Sequence, residues 1–215
     1  MGTVKLVLQS LVEDLIRNLS GPVGIRLRRA WYSRRFKNCG RNIRIEAGVF
    51  LLNPQHLSFG DDCWIDLGVT IIAGPPDGSA NIKRLGPTEG RVPEGTLAIG
   101  HRCHLAPGTL IQAHGGIVAG DDFWLAAGSK LYSYSNDIHH HCAVRGEPNP
   151  RPDGRFLAYP IVMGNNVFLG LDVKVFGHTI GSDVFVMPGS FVTSDIPENT
   201  VAGGSPAAPV RARYP

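Results

Sequence analysis

The feature that most constrains this chain is a period of six. From Cys39 onward an aliphatic or aromatic residue recurs at every sixth position, usually followed by a small or acidic residue. Clear series run Phe59-Gly-Asp-Asp-Cys-Trp, Ile65-Asp-Leu-Gly-Val-Thr, Ile71 and Ile99-Gly-His-Arg-Cys-His, Leu105-Ala-Pro-Gly-Thr-Leu, Ile111. Further series start at Ala119, Met163 and Ile180. Helices repeat at 3.6 residues and half-buried strands at 2, so neither demands six with glycine in second place. A short strand followed by a corner does, because Gly, Asn and Asp tolerate the positive φ of a tight turn. Three such units would close a triangular coil of about 18 residues, with the large aliphatics stacked inward from coil to coil. The expected fold is an all-β solenoid. An antiparallel sandwich would account for short strands and glycines but not for the fixed phase.

Composition agrees. Gly 27 and Pro 16 together make one residue in five of the 215, against a usual share of roughly 12%. That is too much turn chemistry for a helical bundle, and no Gly-X-Y period points to collagen. A 43% hydrophobic share supplies a packed core for one domain with an appendage. Two stretches break the register, 73–95 and 136–160, both rich in Gly, Pro and charge. They read as loops expelled at corners, where function commonly resides.

The first 38 residues have a different character. Val4, Val7, Leu8, Leu11, Val12, Leu15 and Leu19 fall at helical spacing, and Gly21-Pro22 ends that helix. A basic stretch follows, carrying Trp31, Tyr32 and Phe36 among arginines. Residues 1–40 hold eight basic and two acidic side chains, a net +6, while the remainder is −3. The division is thus a basic amphipathic helical arm, 1–38, and a solenoid, 39–215. The arm suits either a helical cap on the solenoid or an interfacial anchor drawn to anionic lipid headgroups. A mildly acidic body excludes a global nucleic-acid footprint. No apolar run approaches the ~20 residues of a membrane-crossing helix, and no cleavage site follows the N-terminal stretch. The expected location is cytoplasmic, with any anchoring at the inner face of the membrane. Cys39, Cys63, Cys103 and Cys142 lie far apart without a CxxC pair, as reduced thiols do.

The repeat, the stretch Tyr159-Pro-Ile-Val-Met-Gly-Asn-Asn-Val-Phe-Leu-Gly, and the tail Val192-Thr-Ser-Asp-Ile-Pro-Glu-Asn-Thr-Val-Ala-Gly-Gly-Ser-Pro-Ala together resemble the hexapeptide-repeat acyltransferases. The similarity covers about residues 39–213 and is greatest to the branch holding galactoside, maltose and surface-polysaccharide O-acetyltransferases. The resemblance implies a left-handed parallel β-helix, a homotrimer with active sites between neighbouring solenoids, and acetyl transfer from acetyl-coenzyme A to a sugar hydroxyl. An N-acyltransferase acting on an amino-sugar nucleotide is the alternative within the class. A zinc enzyme of the carbonic-anhydrase kind, drawing on His101, His104, His114 and the histidine triplet, and a non-catalytic scaffold are the rivals outside it. No metal is expected for the acetyltransferase.

A sugar hydroxyl needs a base as it attacks a thioester, and neutral imidazole suits that task. The resemblance places the base just after the coil that precedes the extended loop. There the family's small-residue-then-His step reads Ser135-Asn136-Asp137-Ile138, so the base falls slightly later. His139 is the first candidate and His140 the second; His141, third in order, is set with acceptor binding. Asp137 would orient the imidazole or cap a turn. His114, one coil earlier, and Asp66, after Ile65, are candidates for acceptor binding, with a plain corner role as the alternative for Asp66. For the coenzyme the resemblance offers Gly170, Pro188, Gly189, Thr193, Ser194 and, for the 3′-phosphate, Arg211, whose planar fork matches phosphate. Two cations of relatives are missing: Ala208 follows Ser205-Pro206-Ala207 where arginine is frequent, and Ser194 replaces a lysine. The step from Val175 to Ile180 is one residue short of six.

Overall fold

The computed structural model describes residues 2–76, 81–86, 92–137 and 155–215. Residues 138–154, and with them the candidates His139, His140 and His141, lie outside the described residues. The architecture is a left-handed parallel β-helix with three flat faces. The first face stacks Asn38–Cys39, Leu57–Phe59, Leu97–Ile99, Ile117–Ala119, Ile161–Met163 and Thr179–Ile180. The second runs from Arg44–Ile45 through Trp64–Ile65, His104–Leu105, Trp124–Leu125 and Phe168–Leu169 to Phe185–Val186, and is closed by the antiparallel hairpin Thr200–Gly204 and Ala207–Ala212. The third stacks Phe50–Leu52, Thr70–Ile72, Leu110–Gln112, Lys130–Tyr132, Lys174–Phe176 and Phe191–Val192.

The hexad aliphatics are the core. Ile45, Ile65, Leu105, Leu125, Leu169 and Val186 pair in register along the second face, all buried. The coil differs from a regular 18-residue turn. Ile45 opposes Ile65 and Leu51 opposes Ile71, an offset of 20. The additional residues sit at the corner between the third and first faces, where the 3₁₀ turn Pro54–His56 lies in the first coil. Near the C-terminus the offset falls to 17, as for Leu169 and Val186, because the corner after Val175 is shortened.

The glycine in second place of each hexad has a different cause from the one expected. Gly60 and Gly120 do not adopt positive φ; that is carried two residues later by Asp62 and Asp122. A Cβ on Gly60 would stand 2.6 Å from the Gly100 carbonyl, and one on Gly120 2.8 Å from the Gly164 oxygen. These glycines let successive coils approach, while Asn or Asp two places on turns the chain.

The arm is two helices, α1 (Gly2–Asn18) and α2 (Gly21–Tyr32). The Gly21-Pro22 pair that ends the first also opens the second, proline being tolerated in a first helical turn. Arg28, fully buried, fastens the arm to the solenoid. Its Nε donates to the Ile45 carbonyl at 2.9 Å, and its Nη1 donates to the carbonyls of Ile16 at 2.7 Å and Leu19 at 2.6 Å. Tyr32 and Phe36 stack into the end of the core, the latter against Phe59. Among the described residues no helix is long and apolar enough to cross a membrane.

The two expelled loops are not independent. Tyr134–Asn136 pairs antiparallel with Arg155–Ala158, which pairs in parallel with Asn81–Arg84 from the earlier loop. The three strands form a small sheet standing off the solenoid. Sequence periodicity gave no sign of this, because the strands are only three or four residues long and their partners lie in separate loops.

Candidate active site

Among the described residues, one concavity lies between the third face and this small sheet. It has a volume of about 780 Å³ and is walled by Tyr132, Tyr134, Phe156, Phe176 and Phe191, with Gln112, Ser135, Asn136 and Lys174 as its polar groups. Tyr134 and Phe156 are stacked at 5.2 Å and 14°. Along the sequence, the strand Tyr134–Asn136 precedes the histidine triplet, which lies outside the described residues. Asp137, at the edge of the described segment, is buried.

His114 borders the same region, its ring edge-on to Tyr134 at 5.5 Å. Its Nδ1 lies 2.7 Å from the Gly74 carbonyl oxygen. A carbonyl only accepts, so in this contact Nδ1 is the donor. Asp66 belongs elsewhere. It sits at the end of the Trp64–Ile65 strand on the second face, its Oδ2 3.3 Å from His104 Nε2. The His104 ring is stacked on Trp64 at 4.7 Å and meets Trp124 edge-on at 5.8 Å. The structure thus separates His114 and Asp66 onto different corners and gives each its own partner.

The candidate coenzyme residues fall on two corners and the terminal hairpin. Gly170 and Pro188 are neighbours in successive coils: a Cβ on Gly170 would stand 2.8 Å from the Pro188 nitrogen. Gly189, in the same corner, donates its N–H to the Leu171 carbonyl at 2.8 Å. Thr193 and Ser194 occupy the following corner, and Ser194 is exposed. Arg211 is exposed on the hairpin strand Ala207–Ala212, whereas Arg213 is taken up structurally, its Nη1 donating to the carbonyls of Asn166 at 2.6 Å and Val184 at 3.0 Å. Of the two arginines, Arg211 is the more exposed, and its Nη1 donates to the Ala212 carbonyl at 2.9 Å.

One polar cluster was not singled out from the sequence. His178, at φ 72° in the shortened corner, places Nδ1 3.1 Å from the Tyr159 hydroxyl and 3.3 Å from Asp195 Oδ1. Asp195 also accepts the Thr179 N–H at 2.8 Å. Burial, reinforced by Asp195, pushes the Tyr159 hydroxyl above its ordinary pKa, so it stays a neutral hydroxyl. The five-residue step after Val175 was the available signal. Cys63 and Cys103 are buried, with thiols directed at backbone carbonyls, which leaves neither placed as a nucleophile. Among the described residues no group of three His, Cys, Asp or Glu is arranged to hold a metal ion.

No family model matches the chain. Galactoside O-acetyltransferase of Escherichia coli (strain K12) is 25% identical over 195 residues, which is 90% of this chain and 72% of that protein. WbbJ of the same strain, provisionally a lipopolysaccharide biosynthesis O-acetyl transferase, is 36% identical over 93 residues, 42% of this chain and 47% of that protein. Among solved structures, AntD, an N-acyltransferase from Bacillus cereus in complex with dTDP and 3-hydroxybutyryl-CoA, superposes with a TM-score of 0.68 at 19% identity, over 86% of this chain and 87% of that one. The hexapeptide-repeat acetyltransferase VCA0836 of Vibrio cholerae O1 biovar eltor, complexed with acetyl coenzyme A, gives 0.58 at 18% identity over 98% and 90%. These two likenesses are of fold.

Proposed function

This chain belongs to the hexapeptide-repeat acyltransferases, and on that premise we propose that it transfers acetyl from acetyl-coenzyme A to a sugar hydroxyl of a surface polysaccharide or its precursor. The observation that carries the reading is the aromatic cavity of about 780 Å³ between solenoid and small sheet, lined by the strand Tyr134–Asn136 that precedes the histidine triplet in sequence. Its aromatic walls suit the apolar faces of a sugar ring, and Gln112, Asn136 and Lys174 offer the few polar contacts that orient one.

In the proposed reaction a histidine, His139 first and His140 second, takes the proton of the attacking hydroxyl. The new C–O bond forms as the thioester carbonyl becomes tetrahedral, with a backbone N–H at a coil corner as the simplest donor to the oxyanion. Collapse expels coenzyme A, and the imidazolium returns the proton to the leaving thiolate. Asp137 is the proposed orienting group, and His114 and His141 the proposed acceptor contacts; Asp66, paired with His104 on another corner, takes the corner role that was its alternative. No covalent enzyme intermediate is needed. Gly170, Pro188 and Gly189 would lie along the pantetheine, Thr193 and Ser194 further along, and Arg211 at the 3′-phosphate.

We also propose self-association as a homotrimer. The second face leaves Trp64 38%, Trp124 51% and Phe168 36% exposed in one row, an apolar stripe of the kind that another copy covers. Release of coenzyme A thiol over a panel of sugar and amino-sugar-nucleotide acceptors tests the reading. Turnover with hydroxyl acceptors supports it, and transfer confined to amines replaces it with the N-acyl reaction. Loss of the base costs about 10²–10⁴ in kcat. If His139→Ala and His140→Ala both keep full turnover, the base is assigned wrongly.

A further inference from the structure

Among the described residues, the outer side of the helical arm is left uncovered. Val7, Leu11 and Leu15 form one row of α1 at i, i+4 and i+8, exposed by 54, 61 and 66%. Val23 and Leu27 of α2 are exposed by 65 and 43%. The arm already has a docking side: Ile16, Gly24, Arg28 and Tyr32 are buried, and Arg28 holds both helices to the first coil. The outward leucines and valines are therefore surplus to packing the arm against the solenoid.

Charge indicates what covers them. Both acids of the arm are engaged within it: Asp14 pairs with Arg17 at 2.9 Å, and Glu13 accepts the Trp31 indole N–H at 3.2 Å beside Arg35 at 3.9 Å. Arg26, Arg29, Arg34 and Lys37 are exposed and enter no ion pair among the described residues. Arg26 stands on α2 between Val23 and Ala30 at i+3 and i+4 spacing, so cation and aliphatic side chains share one surface. A second copy meeting this surface across a two-fold axis would bring an identical set of unpaired cations against it. Anionic headgroups would neutralise them while the aliphatic row enters the acyl boundary.

We infer that α1 and α2 form an interfacial platform that seats the solenoid on an anionic lipid surface, with the helices lying in the membrane plane. Acyl transfer is not required for this, and binding is read without any acceptor. The experiment is co-sedimentation of the full chain with phosphatidylcholine vesicles, with and without about one-quarter phosphatidylglycerol, at about 0.1 M and about 0.5 M NaCl. Binding is expected only with phosphatidylglycerol and is weakened by salt. The Leu11→Ser/Leu15→Ser/Leu27→Ser variant should lower the partition at least about tenfold. Arg26→Gln/Arg29→Gln/Arg34→Gln should lower it about fivefold per residue, with an unchanged circular-dichroism melt showing that these exposed positions act through charge and not through folding. Equal recovery with both vesicle types, or binding that neither variant alters, overturns the inference. So does a leucine variant that changes the particle mass in light scattering while the parent chain ignores vesicles, since the surface then belongs to another copy.

Discussion

Removing Arg28 should detach the arm and leave the solenoid standing. Its guanidinium closes the C-terminus of α1 by taking the carbonyls of Ile16 and Leu19, and reaches the first coil through Ile45. Charge-assisted hydrogen bonds contribute about 1.5–3 kcal/mol each, so the three short ones give about 5–9 kcal/mol gross. Nη2 is buried without a hydrogen-bond partner, an orphan that costs about 1–3 kcal/mol. Burial itself pulls the Arg28 pKa down, with Glu46 opposing that shift. The net loss on Arg28→Ala is about 3–6 kcal/mol, confined to docking of the arm, because a solenoid coil touches only its neighbours. Lysine should not restore it, since one ammonium cannot reach carbonyls on three sides of a planar fork. Native-state hydrogen exchange by mass spectrometry reads this directly: amides of α1 and α2 should lose protection by about 10²–10⁴, while strands such as Ile117–Ala119 keep theirs. Unchanged exchange in the helices, or collapse of protection throughout the solenoid, would refute the reasoning.

Other outcomes follow from the same contacts. Gly120→Ala places a methyl against the backbone of the next coil and should lower stability by about 1–3 kcal/mol in thermal unfolding. Arg211→Ala should raise the KM for acetyl-coenzyme A about tenfold at unchanged melting temperature, while Arg213→Ala should lower the melting temperature. Arg41 and Arg102, hydrogen-bonded to Asp61 and Asp122, hold both carboxyls below the usual range. Their contribution is therefore complete above the unfolded aspartate pKa of about 3.9 and is lost as pH falls through the depressed values. Acid titration monitored by circular dichroism should show Arg102→Gln losing this acid-side dependence. On the proposed homotrimer, Trp124→Arg should lower the particle mass in light scattering, and an unchanged mass counts against that stripe as the interface.

The period of six was enough to read the solenoid and its inward aliphatics, because each hexad repeats one local decision about strand and corner. It did not reveal coil length. The third corner absorbs two residues at Leu52–His56 and drops one after Val175, and neither change disturbs the phase within a hexad. The second-place glycines were legible as a pattern but not as a cause, since the obstacle is the backbone of another coil. At the site, the candidate coenzyme residues keep the order of the tail motif, so sequence order carried them onto adjoining corners. Partnerships between distant segments were not legible: His114 with the Gly74 carbonyl, Asp66 with His104, and His178 between Tyr159 and Asp195 join residues 17 to 40 positions apart.

The strand shared between the two expelled loops makes them one inheritable unit. Asn81–Arg84 has its partner in Arg155–Ala158, more than seventy residues downstream, and Arg84 also grips Glu94 within its own loop. Lengthening either loop slides a ladder whose other rail belongs to the far loop and whose third rail, Tyr134–Asn136, walls the cavity. A graft that exchanges one loop between related enzymes breaks this ladder, and a graft that exchanges both carries it intact. Acceptor preference in such a chain would therefore drift through paired changes in two loops, while the solenoid between them stayed still.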